Sequence, residues 1–206
     1  MARRRAATGG GVGALLLAPG AGSSAQHPCL VAIEAAVAPM LVERMDFPYR
    51  KAGRKAPDRA PVLIGAVREE AAALSDRAGV DPGGVALGGR SMGGRMCSMA
   101  VAEGLPAAAL VLISYPLHPP GRPDALRTAH LPQLEVPCLF VQGTRDPFGV
   151  PEELETATAT IPGPVTHEWI DSGRHDLKGA DAHIAATVAA WLAGLKVGGR
   201  RSGPRG

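Results

Sequence analysis

The 206-residue chain predicts an α/β fold, with a mostly parallel central sheet and helices on both of its faces. Three observations carry that expectation. Short, continuous apolar runs at 14–18, 85–87, 109–114 and 137–143 read as strands buried on both sides. Stretches of helical periodicity alternate with them. One run, Val85-Ala86-Leu87, ends in Gly88-Gly89-Arg90-Ser91-Met92-Gly93-Gly94 and leads into a helical stretch at 96–103. Gly89-x-Ser91-x-Gly93 between strand and helix is a pattern that lifts a serine clear of a sheet edge.

Composition narrows the function classes. With 46% apolar but only 3% aromatic residues, the core must be built from Ala, Val, Leu and Ile. The formal charge is +3, and all but four of the 22 basic residues are arginine. They are scattered, with no aromatic rings between them, so no nucleic-acid partner is expected. No apolar run approaches the length of a membrane span, and no membrane partner is expected. Cys29, Cys97 and Cys138 are far apart, odd in number and set in apolar surroundings, which predicts buried free thiols. Cys and His show no metal-ligand spacing, so neither a metal nor another cofactor is expected. The expected setting is the cytoplasm and the expected partner a small molecule; the oligomeric state is not legible.

Residues 1–13, with Arg3-Arg4-Arg5 and glycines, are expected to be a flexible tail, 14–197 the domain, and 198–206 a disordered basic tail. The start also imitates a secretion signal, with basic residues, an apolar stretch at 12–18 and small residues at Ser23-Ser24-Ala25. That stretch is short, Pro19-Gly20 interrupts it, and cleavage after Ala25 would remove the first strand, 14–18. A helix should open at His27-Pro28, because proline suits a first turn, and run to about Met45. Residues 45–47 are expected to form a weak second strand, 51–60 a basic surface loop, and 61–79 a helix with Val62, Leu63, Ala66, Val67, Glu70 and Leu74 as its mostly apolar stripe. After the strand at 109–114, the proline-rich segment 115–136 is expected to contain a short helical piece at 124–130. A strand at 137–143, a helix at 152–160, a strand at 165–170 and a closing helix at 181–195 complete the order.

In such a sheet the site lies beyond the carboxyl ends of the strands. Ser91 is there, and Asp146 and His175 each follow a later strand. The turn should push Ser91 to positive φ, with its neighbours two residues away forced to be small, as Gly89 and Gly93 are. A serine hydroxyl needs an imidazole to take its proton, and the imidazole needs a carboxylate to fix its tautomer. The order Ser…Asp…His matches a known triad arrangement. The backbone N–H groups of Met92 and Ala21 would hold a developing oxyanion. Plainer readings stand beside these. Ser91 can belong to one glycine-rich turn among 27 glycines, Asp146 can start a turn before Pro147, and His175 can be a solvated loop residue. Asp171 or Asp176 can stand in as the acid. Gly20-x-Gly22-x-x-Ala25, with Asp46 downstream, also matches a dinucleotide fingerprint. A helix opening at Pro28 starts too late for it, and Ser91 is then left without a role. Of the other histidines, His27 falls at a helix start, His118 in a proline loop, His130 at a helix end, His167 in a strand and His183 on a helix surface.

Ser91-Met92-Gly93-Gly94-Arg95, Tyr115-Pro116-Leu117-His118-Pro119-Pro120-Gly121 and Val141-Gln142-Gly143-Thr144-Arg145-Asp146 resemble a small branch of the α/β-hydrolase superfamily. It holds the testis-expressed and KANSL-type hydrolase-like proteins and many bacterial relatives, and is also labelled dienelactone-hydrolase-like. Asp46-Phe47-Pro48-Tyr49-Arg50 and Leu126-Arg127-Thr128-Ala129-His130-Leu131 resemble it as well, and the resemblance runs from about Ala14 to Leu195. It implies the α/β-hydrolase fold, with Ser91 as nucleophile, Asp146 as acid and His175 as base. Two departures are visible. Pro19 stands where the superfamily usually has a histidine, and the chain starts very close to its first central strand, so the expectation is either one short sheet edge without the strands that usually precede it, or a true start that lies elsewhere.

The expected function is cleavage of a small ester or thioester through an acyl-enzyme. The alternative is an interaction module of the same fold with weak turnover. Residues 115–136 occupy the place of a lid, and their shortness predicts a minimal or absent one over an open pocket. Arg90, Arg122, Arg127 and Arg145 are expected near the site, either attracting an anionic acyl group or, as the preferred reading, forming a solvated rim.

Overall fold

Alternate residues of the central strands face opposite layers, and a computed structural model describing residues 11–195 shows both layers filled. The expected N-terminal tail lies outside the described residues up to residue 10, and the expected tail at 198–206 lies wholly outside them. Among the described residues, β1 (Ala14–Ala18), β2 (Leu41–Arg44), β3 (Val85–Arg90), β4 (Ala109–Ile113), β5 (Cys138–Gly143) and β6 (Val165–Ile170) form one sheet in the order β2-β1-β3-β4-β5-β6. Every pairing is parallel. The helices are α1 (Pro28–Ala36), α2 (Pro48–Lys51), α3 (Ala60–Ala78), α4 (Met92–Ala102), α5 (Pro151–Thr158) and α6 (Asp181–Gly194). The architecture is the expected α/β one, a parallel sheet between two layers of helices.

Leu16 and Leu87 pack with α3, α4 and α5 residues such as Val67, Met96 and Leu154, while Leu15, Leu17 and Val111 pack with Leu30, Ile33, Ile184 and Val188 of α1 and α6. Both faces of β1 are therefore dry, which is why its sequence does not alternate. Each buried leucine contributes about 2 kcal/mol. Cys29, Cys97 and Cys138 are free and buried, and burial pushes each thiol up to about 12. No described helix is long and apolar enough to cross a membrane.

Three local expectations are corrected. The helix after the first loop ends at Ala36, not near Met45, because a residue before proline disfavours helical geometry and Pro39 lies ahead. The second strand is Leu41–Arg44 and not 45–47; at the sheet edge it carries Glu43 and Arg44, half-exposed, so it lacks the buried-strand signature. The helical piece expected at 124–130 is absent. Pro123 and Pro132 flank the segment, and its N–H groups make isolated bonds, Ala125 to the Arg122 carbonyl and Arg127 to that of Leu117, before one 3-10 turn at Leu131–Gln133. The rest of 115–136 has no helix, so no lid covers the sheet from this segment. A smaller shift concerns α4, which starts at Met92 rather than 96.

Candidate active site

Ser91 is set by backbone geometry before any side chain acts. Its φ is 50°, its N–H donates to the Ile113 carbonyl at the end of β4 (2.8 Å), and its own carbonyl accepts from Arg95 N–H (3.1 Å), so α4 grows directly from the serine. Positive φ at a non-glycine residue is strained, and close packing holds it. Gly89 and Gly93 lie against the backbone of Ala18, where an added Cβ would collide with its carbonyl. At Gly94 a Cβ would come within 2.7 Å of the Gly89 oxygen.

Two loops at the carboxyl ends of β5 and β6 are zipped together. Thr144 N–H donates to the Ile170 carbonyl (3.0 Å), Arg145 N–H to the Gly173 carbonyl (2.8 Å) and Ser172 N–H to Thr144 Oγ1 (2.8 Å). Gly143 fits there because its lack of a side chain lets Gly173 approach. The zipper brings Asp146 beneath His175. His175 Nδ1 lies 2.8 Å from Asp146 Oδ2 and 3.0 Å from Oδ1, and Nε2 lies 2.9 Å from Ser91 Oγ. With Nδ1 facing a carboxylate, the neutral ring carries its proton there, and Nε2 is left to accept from the serine hydroxyl. Asp146 is fully buried yet well supplied, accepting from Gln142 Nε2 (3.0 Å) and Phe148 N–H (2.9 Å) as well. Asp171 and Asp176 are exposed, and Asp146 meets the imidazole in their place.

Met92 is the first residue of α4, immediately after the serine. Ala21 lies in the loop after β1, and this loop abuts the serine: a Cβ at Gly20 would sit 3.6 Å from Ser91 Cβ. Tyr49 hydroxyl donates to the Ala21 carbonyl (2.7 Å), and Asp46 Oδ1 accepts from Ala25 N–H (2.9 Å). Asp46, the acid of the dinucleotide reading, is thus engaged in bracing the loop, and α1 starts only at Pro28.

The arginines separate. Arg122 and Arg145 are exposed, as a solvated rim requires. Arg90 is structural: Nη2 donates to the His175 carbonyl (2.6 Å) and Nη1 lies 2.9 Å from His27 Nε2. Arg127 is half-buried. His118 meets Glu153 (3.3 Å), His167 meets Thr158 (3.0 Å) and His183 meets Glu168 (2.6 Å), so these rings serve other contacts. His130 bonds Ser98 Oγ (2.8 Å), and burial, with Arg95 nearby, lowers its pKa to about 4. A cavity of about 660 Å³ lies between 117–132 and α5, lined by Leu117, Leu126, Pro132, Glu153 and Thr156; Ser91, Asp146 and His175 do not line it. Sequence reasoning passed over Gln142, Tyr49 and Phe148, whose ring stacks on His175 with centroids 4.0 Å apart. Gln142 carries a signal of its own, a lone amide in an apolar strand.

A family described as an alpha/beta hydrolase domain matches residues 12–195. Among solved structures, the dienelactone hydrolase from Anabaena variabilis is 21% identical, with a TM-score of 0.69 and coverage of 91% of this chain and 88% of that one. Est1E from Butyrivibrio proteoclasticus is 12% identical, with a TM-score of 0.69 and coverage of 89% and 88%. The type II thioesterase BorB from the borrelidin biosynthetic cluster is 23% identical, with a TM-score of 0.63 and coverage of 90% and 94%. These likenesses speak to the fold. Because the family match runs from the residue before Gly13 to the end of the described chain, over the parallel sheet and the serine turn alike, this chain belongs to the alpha/beta hydrolase domain family.

Proposed function

We propose that this protein is a serine hydrolase that cleaves a small ester or thioester through an acyl-enzyme. The observation that carries the reading is the continuous hydrogen-bonded line from Ser91 Oγ through His175 to Asp146, 2.9 and 2.8 Å long. Ser91 Oγ attacks the carbonyl carbon while His175 Nε2 takes its proton. The alcohol or thiol leaves with that proton, and water, deprotonated in turn by His175, then releases the acid. Asp146 stabilises the imidazolium, and the Met92 and Ala21 N–H groups receive the oxyanion. The names of the structural neighbours, a dienelactone hydrolase and a thioesterase among them, support the ester and thioester class. The retained strain at Ser91 supports turnover over a pure interaction module. The motifs from Ser91 to Arg95 and from Tyr115 to Gly121 support the testis-expressed and KANSL-type branch. Three unpaired thiols suit a reducing compartment, and the reading sets the enzyme in the cytoplasm.

A fluorophosphonate probe tests this. It should label the wild type at Ser91 and leave Ser91→Ala unlabelled, and that variant should lose roughly 10⁶ in kcat with its melting temperature retained. Folded wild type that resists the probe overturns the reading.

A further inference from the structure

Two groups meet the His175 ring from different directions. Asp146 reaches its edge, at Nδ1 (2.8 Å). Phe148 covers a face, with ring centroids 4.0 Å apart and planes inclined by 29°. The chain has three phenylalanines. Phe47 and Phe140 are fully buried in the layer of α3 and α4, whereas Phe148 is half-buried and belongs to neither core layer among the described residues. Packing of the interior therefore does not place this ring; its backbone does. Phe148 N–H donates to Asp146 Oδ1 (2.9 Å), and its carbonyl accepts from His118 N–H (3.1 Å). Gly149 follows at φ 155°, its N–H donating to the Asp146 carbonyl (3.2 Å) and its carbonyl accepting from Gln142 Nε2 (3.1 Å). A Cβ at Gly149 would come within 2.9 Å of Leu117 Cβ, so the turn is pressed against its neighbour. One residue thus caps the acid with its main chain and covers the base with its side chain.

We propose that Phe148 is a positioning residue of the reaction: its ring holds the His175 imidazole in line and stabilises the imidazolium formed as the Ser91 Oγ proton moves to Nε2. The proposal rests on the hydrolase reading above. With a proton on each nitrogen, the imidazole carries a positive charge spread over the whole ring. The Asp146 carboxylate meets that charge at one edge only. An aromatic ring presents a negative face, and a cation within about 6 Å of its centroid is attracted to it. A neutral imidazole gains less from the same face, so the contact strengthens as the proton moves, which is what lowers a barrier. The stack also restrains the imidazole, because rotation about its Cβ–Cγ bond would carry Nε2 away from Ser91 and drive a ring edge into Phe148.

A series at position 148 tests this with p-nitrophenyl acetate, at a pH on the alkaline plateau of the rate profile. Phe148→Leu should lower kcat by about tenfold with KM little changed, and Phe148→Tyr should retain most of the wild-type rate. Phenylalanines carrying one, two or three ring fluorines, introduced at this position alone, keep the shape and drain charge from the face. Along them kcat and the rate of fluorophosphonate labelling should fall stepwise, to about tenfold in total, while the melting temperature stays level. A ring that only fills space would give a flat series. A flat fluorine series overturns the proposal, as does Phe148→Leu with the wild-type kcat or with its loss confined to KM. Failure of the hydrolase reading looks different: the folded wild type itself neither turns over the ester nor takes the label, and the proposal falls with it.

Discussion

Gln142 is the lone side-chain amide of β5, and it holds four groups at once. Its two Nε2 hydrogens are shared among Asp146 Oδ2 (3.0 Å), the Gly149 carbonyl (3.1 Å) and the Tyr115 carbonyl (3.3 Å), and its Oε1 accepts from Tyr115 N–H (2.7 Å). The buried carboxylate therefore inherits its position from a residue that never touches substrate. Gln142→Leu keeps the volume but orphans buried partners, each worth about 1–3 kcal/mol. Chemical denaturation should show a loss of about 2–4 kcal/mol in all, because some partners relax towards other groups. If Asp146 then drifts by even an ångström, kcat should fall up to about 10²-fold. A variant with unchanged kcat would show that Asp146 holds its place without the amide.

At the scale of the element, the serine turn works because three backbones approach more closely than side chains permit. Gly93→Ala places a methyl group against the Ala18 carbonyl and should destabilise the fold by about 3 kcal/mol, read by denaturant midpoint, and lower fluorophosphonate labelling with it. A fully stable, fully labelled variant would mean that β1 and the turn can separate freely. This element was legible in the sequence, since the glycine spacing and the apolar run before it are local signals. Asp146 and His175 were legible as residues past strand ends, but the zipper of Thr144, Arg145, Ser172 and Gly173 was not. It forms between segments some thirty residues apart and uses mostly backbone groups, which carry no sequence signature. The strand Leu41–Arg44 escaped notice for the opposite reason to β1: at an edge, half-exposed, it has no need of a continuous apolar run.

At the scale of the whole molecule, several histidines are held neutral by their surroundings, and this sets a pH response. His130 is lowered to about 4 by burial and then by Arg95, and His27 and His167 are lowered as well, burial first in each case. Unfolding returns these rings to the ordinary value near 6.5, so the unfolded chain binds more protons between the two values. Their contribution is complete above about pH 6.5 and is lost as pH falls towards 4. His118 runs the other way: burial alone would lower it, but the Pro119 carbonyl and Glu153 raise it, so its contribution is present below about 6.5 and fades as pH climbs through the raised value. Three against one predicts a net loss. The melting temperature should decline from pH 6.5 to 4, and His130→Gln should flatten the decline. A wild-type curve level across that interval would overturn the assignment.

The three masked thiols give the molecule a way of reporting on itself. Cys97, on α4, and Cys138, on β5, belong to the layer of α3 and α4, whereas Cys29, on α1, belongs to the opposite layer with α6. A sulfhydryl held near 12 is inert to alkylating agents until its shelter opens, since only the thiolate reacts. The sequence in which a slow-reacting maleimide marks these positions is therefore a stopwatch for the two halves of the interior. Simultaneous marking would mean the molecule comes apart as one unit, and early marking of Cys29 would mean the side bearing α6 peels away first.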